Sequence, residues 1–154
     1  MLALRLVRLI EAHSGELAQG LLEKILSSER TTDYRRLDRA ELQQAVRDVY
    51  QHLSDWLLTK TESDIELRYT QLGFRRAEQG VSQSQWMWVV VLTKEQLWGF
   101  LQREALVDGV VELFGELEFL RLLDQFFDRA AYYGTVGYER ALQGRRLTDR
   151  RKTA

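Results

Sequence analysis

The chain contains 154 residues, carries a formal net charge of −1, and has neither cysteine nor proline. The near balance of 22 basic and 23 acidic residues gives no global attraction to nucleic acid or anionic lipid. The lack of cysteine excludes disulfides, thiolate metal sites and cysteine nucleophiles. Because proline interrupts helices and populates turns, its absence over a length typical of one domain predicts long helices.

The first predicted element is an amphipathic helix over residues 2–27, in which apolar residues recur mostly at three- and four-residue spacing. Ser14 and Gly15 mark a candidate bend or fresh start within this helix. The following stretch, residues 27–36, is rich in Ser, Thr and Asp and therefore predicts a loop.

Capping boxes predict the next two helix starts. In a capping box the N-cap side chain bonds the backbone N–H three residues later, and the side chain at that later position reaches back to the N-cap N–H. Asp38 and Glu41 have this spacing and open a helix with an apolar stripe, and Ser63 and Glu66 open another. We expect the second of these helices to end at Gly80, since glycine suits the left-handed position after a helix.

A third capping box, formed by Ser82 and Gln85, opens a helix that runs to about residue 105. Residues 86–92 within it are β-prone, so a buried strand is the competing interpretation. The cap before this stretch and the helical run after it favour the helix.

Asp108 and Gly109 form the clearest remaining break, and a last helix is expected over residues 111–142. Together the elements predict an all-α fold, a bundle of about five helices. A left-handed up-down arrangement and a globin-like crossed packing both remain open. We expect one helical domain over residues 1–143, followed by a basic tail over residues 144–154.

Aromatic residues cluster on and just before the helix that follows Ser82. Aromatic side chains at helical spacing are ordinary core material. The functional alternative is a ligand pocket that combines aromatic walls with a few polar groups. The candidate ligand-binding residues are Tyr69, Arg76, Trp86 and Trp98.

Small residues form one stripe late in the last helix, at Ala130, Gly134, Gly137 and Ala141. Because glycine inside a helix costs up to about 1 kcal/mol relative to alanine, such a stripe calls for a compensating contact. A second helix can approach closely there, from the same chain or from a second subunit. We therefore expect a helix-packing contact and treat the stripe as a candidate homodimer face.

Motifs for catalysis or metal binding are lacking. The sequence holds no Gly-rich phosphate loop, nucleophile elbow or zinc motif, so we predict no catalytic residue, no metal site, no cofactor and no enzyme activity. The only histidines are His13 and His52, and neither has a glutamate three residues before it, as di-iron bundles require. A haem or metal protein that uses one of them is the alternative.

Nucleic-acid binding and membrane insertion are not expected. The segment from residue 145 to 152 carries five positive charges and one negative charge but no aromatic residue. The longest stretch without charge, residues 79–93, is shorter than the roughly 20 apolar residues of a membrane span. Arg5 and Arg8 interrupt the apolar amino terminus, so a signal peptide is not predicted and a cytoplasmic location is expected.

Part of the chain resembles a known family. The segment LGFRRAEQGVS, residues 72–82, together with the aromatic helix after it, resembles the N-terminal sensory domain of RsbT co-antagonist proteins, the RsbRD type of the bacterial stressosome. The closing segment, residues 120–130, is also similar, and the resemblance covers residues 2–142. Arg76 and Gly80 match the family pattern, as a polar anchor between helices and as a helix stop.

The resemblance implies an all-α, often dimeric input module that binds a small signal or a partner and passes a conformational change to an output domain. Related stressosome sensors have a globin-like fold without haem, and the family supplies no catalytic residue. Because only about ten residues follow the last predicted helix, the chain is expected to be either a free-standing sensor or a fragment.

The sequence thus predicts a non-enzymatic sensory or regulatory domain of bacterial stress signalling. It would bind a small ligand or a signalling protein and act through helix packing, as a homodimer. The alternatives are a haem- or metal-binding globin-like protein and a helical protein-interaction adaptor.

Overall fold

The computed structural model describes residues 2–104 and 110–153, and within these ranges the fold is all-α, as predicted. The α-helices are α1 (Leu2–Ala12), α2 (Ser14–Ser27), α3 (Arg39–Gln51), α4 (Glu62–Glu78), α5 (Gln83–Glu104) and α6 (Val110–Thr153). A 3₁₀ helix, Thr32–Arg36, precedes α3, and a π-helical turn, Asp55–Thr59, follows it. The strand alternative for residues 86–92 is wrong, because they lie within α5. The predicted break at Asp108 and Gly109 lies outside the described residues.

The predicted first helix is divided in two at His13, next to the Ser14-Gly15 bend. The His13 N–H bonds the carbonyl oxygens of Leu9 and Ile10, which closes α1. The predicted loop after α2 contains the 3₁₀ helix instead of irregular chain throughout, and its Tyr34 is buried. Tyr34 therefore anchors this loop to the core.

Only one of the two hydrogen bonds predicted for the capping box of α3 is present. Asp38 accepts a hydrogen bond of 3.0 Å from the Glu41 N–H, but the Glu41 carboxylate does not return to the Asp38 backbone. It bonds residues of α4 instead. Glu41 was therefore predicted to have a local role and in fact links two helices.

The predicted start of α4 at Ser63 is wrong by two positions. Thr61 is the N-cap, and Thr61 and Asp64 form a complete capping box, with hydrogen bonds of 3.2 Å and 2.9 Å. Two overlapping pairs have the same spacing here, Thr61 with Asp64 and Ser63 with Glu66. The helix begins at the earlier one, where the backbone is still extended.

Gly80 ends α4 as predicted. Its φ angle is +82°, in the left-handed region that favours glycine. The Gly80 N–H bonds the Ala77 carbonyl oxygen and the Val81 N–H bonds that of Arg76, so the chain reverses within a few residues. The side chain of Ser82 then caps α5 by accepting from the Gln85 N–H, at 3.4 Å.

Helices α4 and α6 run side by side in the same direction. Glu62, at the start of α4, bonds Arg129, and Ala77, at its end, bonds Arg145. Gly137 lies against the backbone of Thr70 in α4, where a Cβ atom would overlap the Thr70 carbonyl oxygen.

Gly134 is enclosed in the same way, between the Trp86 ring and the backbone of Gly73. Ala130 and Ala141 of the same stripe are also buried. The close approach at this stripe is thus made by α4 and α5 of the same chain, and a homodimer face remains a prediction.

The last helix is longer than predicted. Instead of ending near residue 142, α6 continues to Thr153, through most of the segment predicted as a basic tail. A single glycine, Gly144, is too weak to break it, and basic residues in the last turn are favourable at the negative end of the helix dipole. None of the helices in the described ranges has the apolar length that a membrane crossing requires.

Candidate functional site

A cavity of about 80 Å³, partly open to the outside, lies between α2, the 3₁₀ helix, α3, α4, α5 and α6. Its walls are mainly apolar, and they include Leu21, Val46, Val89, Phe126, Phe127 and Ala130. Tyr34, Tyr69, Arg76 and Thr93 add polar groups. An apolar enclosure with a few polar groups is the usual form of a small-molecule site.

Three of the four predicted ligand-binding residues meet at this cavity. Tyr69 and Arg76 reach it from α4, and Trp86 reaches it from α5. The fourth, Trp98, is half-buried and does not line it. Twelve residues along an α-helix correspond to about 18 Å and to a rotation of roughly 120°, so Trp98 lies beyond the cavity on another face of α5.

Tyr69 belongs to an aromatic cluster at one wall of the cavity. Its ring centroid lies 5.8 Å from that of Trp56 and 5.7 Å from that of Phe126, both in edge-on geometry. Such contacts hold the rings in fixed positions. Burial raises the pKa of Tyr69, so its hydroxyl is protonated at neutral pH.

Arg76 is a buried arginine, with a relative exposure of 3%. Its Nη1 donates to Glu41 Oε1 at 3.1 Å and to Gln79 Oε1 at 2.8 Å. A buried charge is costly unless it is paired, and Glu41 supplies the carboxylate. The predicted polar anchor therefore has an identified partner on α3.

Glu41 is shared with a second arginine. Arg75 binds it through two hydrogen bonds, Nε to Oε1 at 2.6 Å and Nη2 to Oε2 at 2.8 Å. The hydrogen bonds from Arg75 lower the pKa of Glu41 to about 2, with further contributions from Arg76 and Gln79. Two guanidinium groups thus share one carboxylate, and the cluster has a formal charge of +1.

Two buried tyrosines adjoin this charge. The hydroxyl groups of Tyr34 and Tyr138 are buried, and neither donates a hydrogen bond among the residues described. Burial raises the pKa of both. The charge of Arg76 acts on each in the opposite direction, and so does the approach of the Arg76 guanidinium group to the Tyr34 hydroxyl. Both hydroxyls are therefore protonated at neutral pH and available as donors.

A second, more open groove of about 370 Å³ lies outside the cavity. Charged residues of α3 and α4 line it, including Glu41, Asp48, Arg68 and Arg75. Three residues are common to both linings: Ala45, Leu72 and Arg76. Arg76 therefore stands between the interior cavity and the exterior groove.

The two histidines lie elsewhere. His13 Nδ1 is 2.9 Å from the Leu9 carbonyl oxygen, and its ring lies 5.2 Å from that of Phe100 in a tilted arrangement. His52 is half-exposed and lies 3.9 Å from Asp48. Neither lines the cavity, whose 80 Å³ does not accommodate a haem group. Within the described ranges, no three His, Asp or Glu residues form a metal-binding group.

Tyr34 and the long-range role of Glu41 were not predicted from the sequence. The sequence did contain one signal for Tyr34. It is the single aromatic residue in an otherwise polar stretch, and a loop that lies wholly on the surface does not require an aromatic residue. No comparable signal was present for Glu41, because its capping position already explained it.

Comparison with known proteins identifies a family. Residues 15–152 match the family model described as the RsbT co-antagonist protein rsbRD N-terminal domain. No curated protein and no solved structure matches the chain.

Proposed function

This chain belongs to the RsbT co-antagonist protein rsbRD N-terminal domain family, and we propose that it serves as a sensory input domain within the stressosome-associated signalling role of that family. A small ligand occupies the cavity and biases the packing of the helices around it. Proteins of this type are regulatory scaffolds rather than enzymes. We extend this to the present chain as a non-enzymatic, cytoplasmic regulator.

The observation that carries the proposal is the position of the cavity. A ligand changes a conformational equilibrium only if it binds one arrangement better than another. An occupant here contacts α3, α4, α5 and α6 at once, through residues such as Val46, Tyr69, Trp86 and Ala130. Any change in the relative placement of these helices alters its contacts. This coupling is the property that an input domain needs.

Mass spectrometry of the purified protein, native and then denatured, tests the proposal. We expect a native mass above that of the bare chain or its dimer, and loss of the excess on denaturation. A screen of small molecules by unfolding midpoint provides the second measurement. A bare native mass together with a midpoint that no small molecule raises would contradict ligand sensing.

A surface on α4 favours a second function, contact with a protein partner or a second copy. Leu67 and Phe74 are seven residues apart on one face of α4, with exposed fractions of 61% and 37%. Exposed apolar residues on one helix face are typical of protein-contact sites. If a homodimer uses this face, Leu67→Glu should lower the mass measured by light scattering. If an adaptor uses it, Leu67→Glu should abolish binding of the protein partner. Leu147→Glu, at another exposed leucine, is the matched control.

A further inference from the structure

The cavity that the proposed function assigns to a ligand has an unusual polar side. A purely apolar ligand has no need of an arginine, and Arg76 lies in the cavity wall with 3% exposure. Its one carboxylate partner, Glu41, is also bound by Arg75. The charge of the cluster is therefore not balanced by the groups that hold it.

The same side of the cavity has a spare hydrogen-bond donor. The hydroxyl of Tyr34, a residue of the cavity wall, is buried, and its proton has no acceptor within the described part of the chain, because the neighbouring Arg76 can only donate. An unsatisfied buried proton is destabilising, so it marks a place where an acceptor is missing. The Thr93 hydroxyl, also in the cavity wall, already donates to the Val89 carbonyl oxygen at 2.7 Å.

On the basis of the proposed function, we infer that the ligand is a carboxylate of one or two carbons, such as formate or acetate. Its carboxylate is bound by Arg76 and Tyr34, and the methyl group of acetate lies against the apolar walls. A carboxylate supplies both of the missing components, a negative charge and hydrogen-bond acceptors.

The volume of the cavity sets the size of the ligand. A cavity of about 150 Å³ holds benzene, which has six carbon atoms. By proportion, a cavity of 80 Å³ accommodates about three non-hydrogen atoms. Formate has three and acetate has four, whereas nucleotides, sugars and fatty acids are too large.

The outer groove provides the access route. It shares Arg76, Ala45 and Leu72 with the cavity, so an anion that reaches the groove meets Arg76 next. The groove presents Arg68, Arg75 and Arg76 against Glu41 and Asp48, a formal excess of one positive charge. This excess favours the approach of an anion over that of a cation.

The test compares acetate with acetamide, a neutral molecule of nearly the same shape, at constant ionic strength. Binding to the full chain is measured by saturation-transfer NMR and by the unfolding midpoint. We expect saturable binding of acetate and at least about tenfold weaker binding of acetamide, since a charge-assisted hydrogen bond is lost. Ala130→Leu fills the cavity and is expected to abolish the binding of both.

Tyr34→Phe provides the sharper variant, because it removes only a hydroxyl whose proton has no acceptor among the described residues of the free protein. We expect acetate to bind at least about tenfold more weakly to Tyr34→Phe, while the free protein unfolds at nearly the same midpoint. Tyr132→Phe, at an exposed tyrosine, is the matched control and leaves binding unchanged.

Several results would overturn the inference, and they separate it from the proposed function. Equal binding of acetate and acetamide, or acetate binding that survives both Tyr34→Phe and Ala130→Leu, would show that Arg76 and Tyr34 do not select a carboxylate in this cavity. If neither molecule binds and the native mass spectrum shows another small molecule, the carboxylate inference is rejected and the sensory function stands. If neither molecule binds and the native mass shows no ligand at all, both the inference and the proposed function are rejected.

Discussion

The Arg145 guanidinium group of α6 donates a hydrogen bond of 2.6 Å to the carbonyl oxygen of Ala77, in the last turn of α4. The last carbonyl oxygens of a helix have no partner within that helix. A positive charge at this end also interacts favourably with the helix dipole. Arg145 therefore completes the end of α4 from a neighbouring helix, close to Arg76 and the turn at Gly80.

Replacement of Arg145 tests this relationship. We expect Arg145→Ala to lower the free energy of unfolding by about 1 kcal/mol, because one charge-assisted hydrogen bond is lost at a partly exposed site. Hydrogen exchange should become faster at Gly80 and Val81, whose N–H groups bond carbonyl oxygens of the same turn. Arg146→Ala, at an exposed position one residue further along α6, is the control. Equal effects of the two changes would contradict the role of Arg145.

Glu41 should determine part of the acid sensitivity of the fold. Its pKa is about 2 in the folded chain, below the ordinary value of 4.5, so the folded state favours the charged form. The stabilisation is complete above about pH 4.5 and is lost as the pH falls towards 2. The Glu41 side chain is 30% exposed, so solvent screens part of this interaction. We therefore expect Glu41→Gln to lower the free energy of unfolding at pH 7 by only about 1–2 kcal/mol.

Unfolding of wild type and Glu41→Gln, measured between pH 2 and 7, checks this prediction. The difference in stability between the two proteins should shrink across the acid range. Glu139→Gln, at an exposed position, should show no such trend. A constant difference at all pH values would mean that Glu41 acts through packing alone.

Two glycines of α6 should respond to alanine in opposite directions. At Gly137 a Cβ atom overlaps the Thr70 carbonyl oxygen and the Phe74 backbone nitrogen, so Gly137→Ala forces α4 and α6 apart. We expect a loss of about 1–3 kcal/mol. At Gly144 no atom lies within 4 Å of the added Cβ, and Gly144→Ala should gain up to about 1 kcal/mol from helix propensity. Urea unfolding measures both, and a tolerated Gly137→Ala would show that the helices are not in close contact.

Gly80 should be sensitive for a conformational reason. Its φ of +82° costs an ordinary residue about 1–2 kcal/mol, and no atom crowds the position closely. Gly80→Ala should therefore lower the unfolding midpoint, and Gly80→Asn should lower it less, because asparagine tolerates this conformation better. Thermal unfolding followed by circular dichroism distinguishes the two. If asparagine were as harmful as alanine, backbone strain would not explain the effect.

The helices and their ends were the predictable part of this structure. Asp38 and Gly80 act through atoms a few residues away, so the order of residues along the chain is enough to identify them. The same local rules erred at Ser63, where two overlapping pairs had identical spacing and only the conformation of Thr61 decided between them.

The site was predictable only in part, because its contacts join distant segments. Tyr69, Arg76 and Trp86 were identified by residue type, but Trp98 has the same chemistry and is excluded by its rotation on α5. Glu41 lies 35 residues from Arg76 along the chain, and nothing in the spacing of its own helix indicates that partner. A capping signal and a long-range ion pair can compete for one side chain.

Because α6 is long, a small movement at the cavity produces a larger movement at its far end. Ala130 lines the cavity, and the same helix continues unbroken to Thr153. At about 1.5 Å per residue, that distance is roughly 35 Å. A tilt of about 5° at Ala130 would therefore displace the far end by roughly 3 Å, although the side chains around the cavity would move by only a fraction of that distance. A rigid α6 would thus convert a tilt that barely changes the core into a displacement of its far end that is large enough to make or break a hydrogen bond.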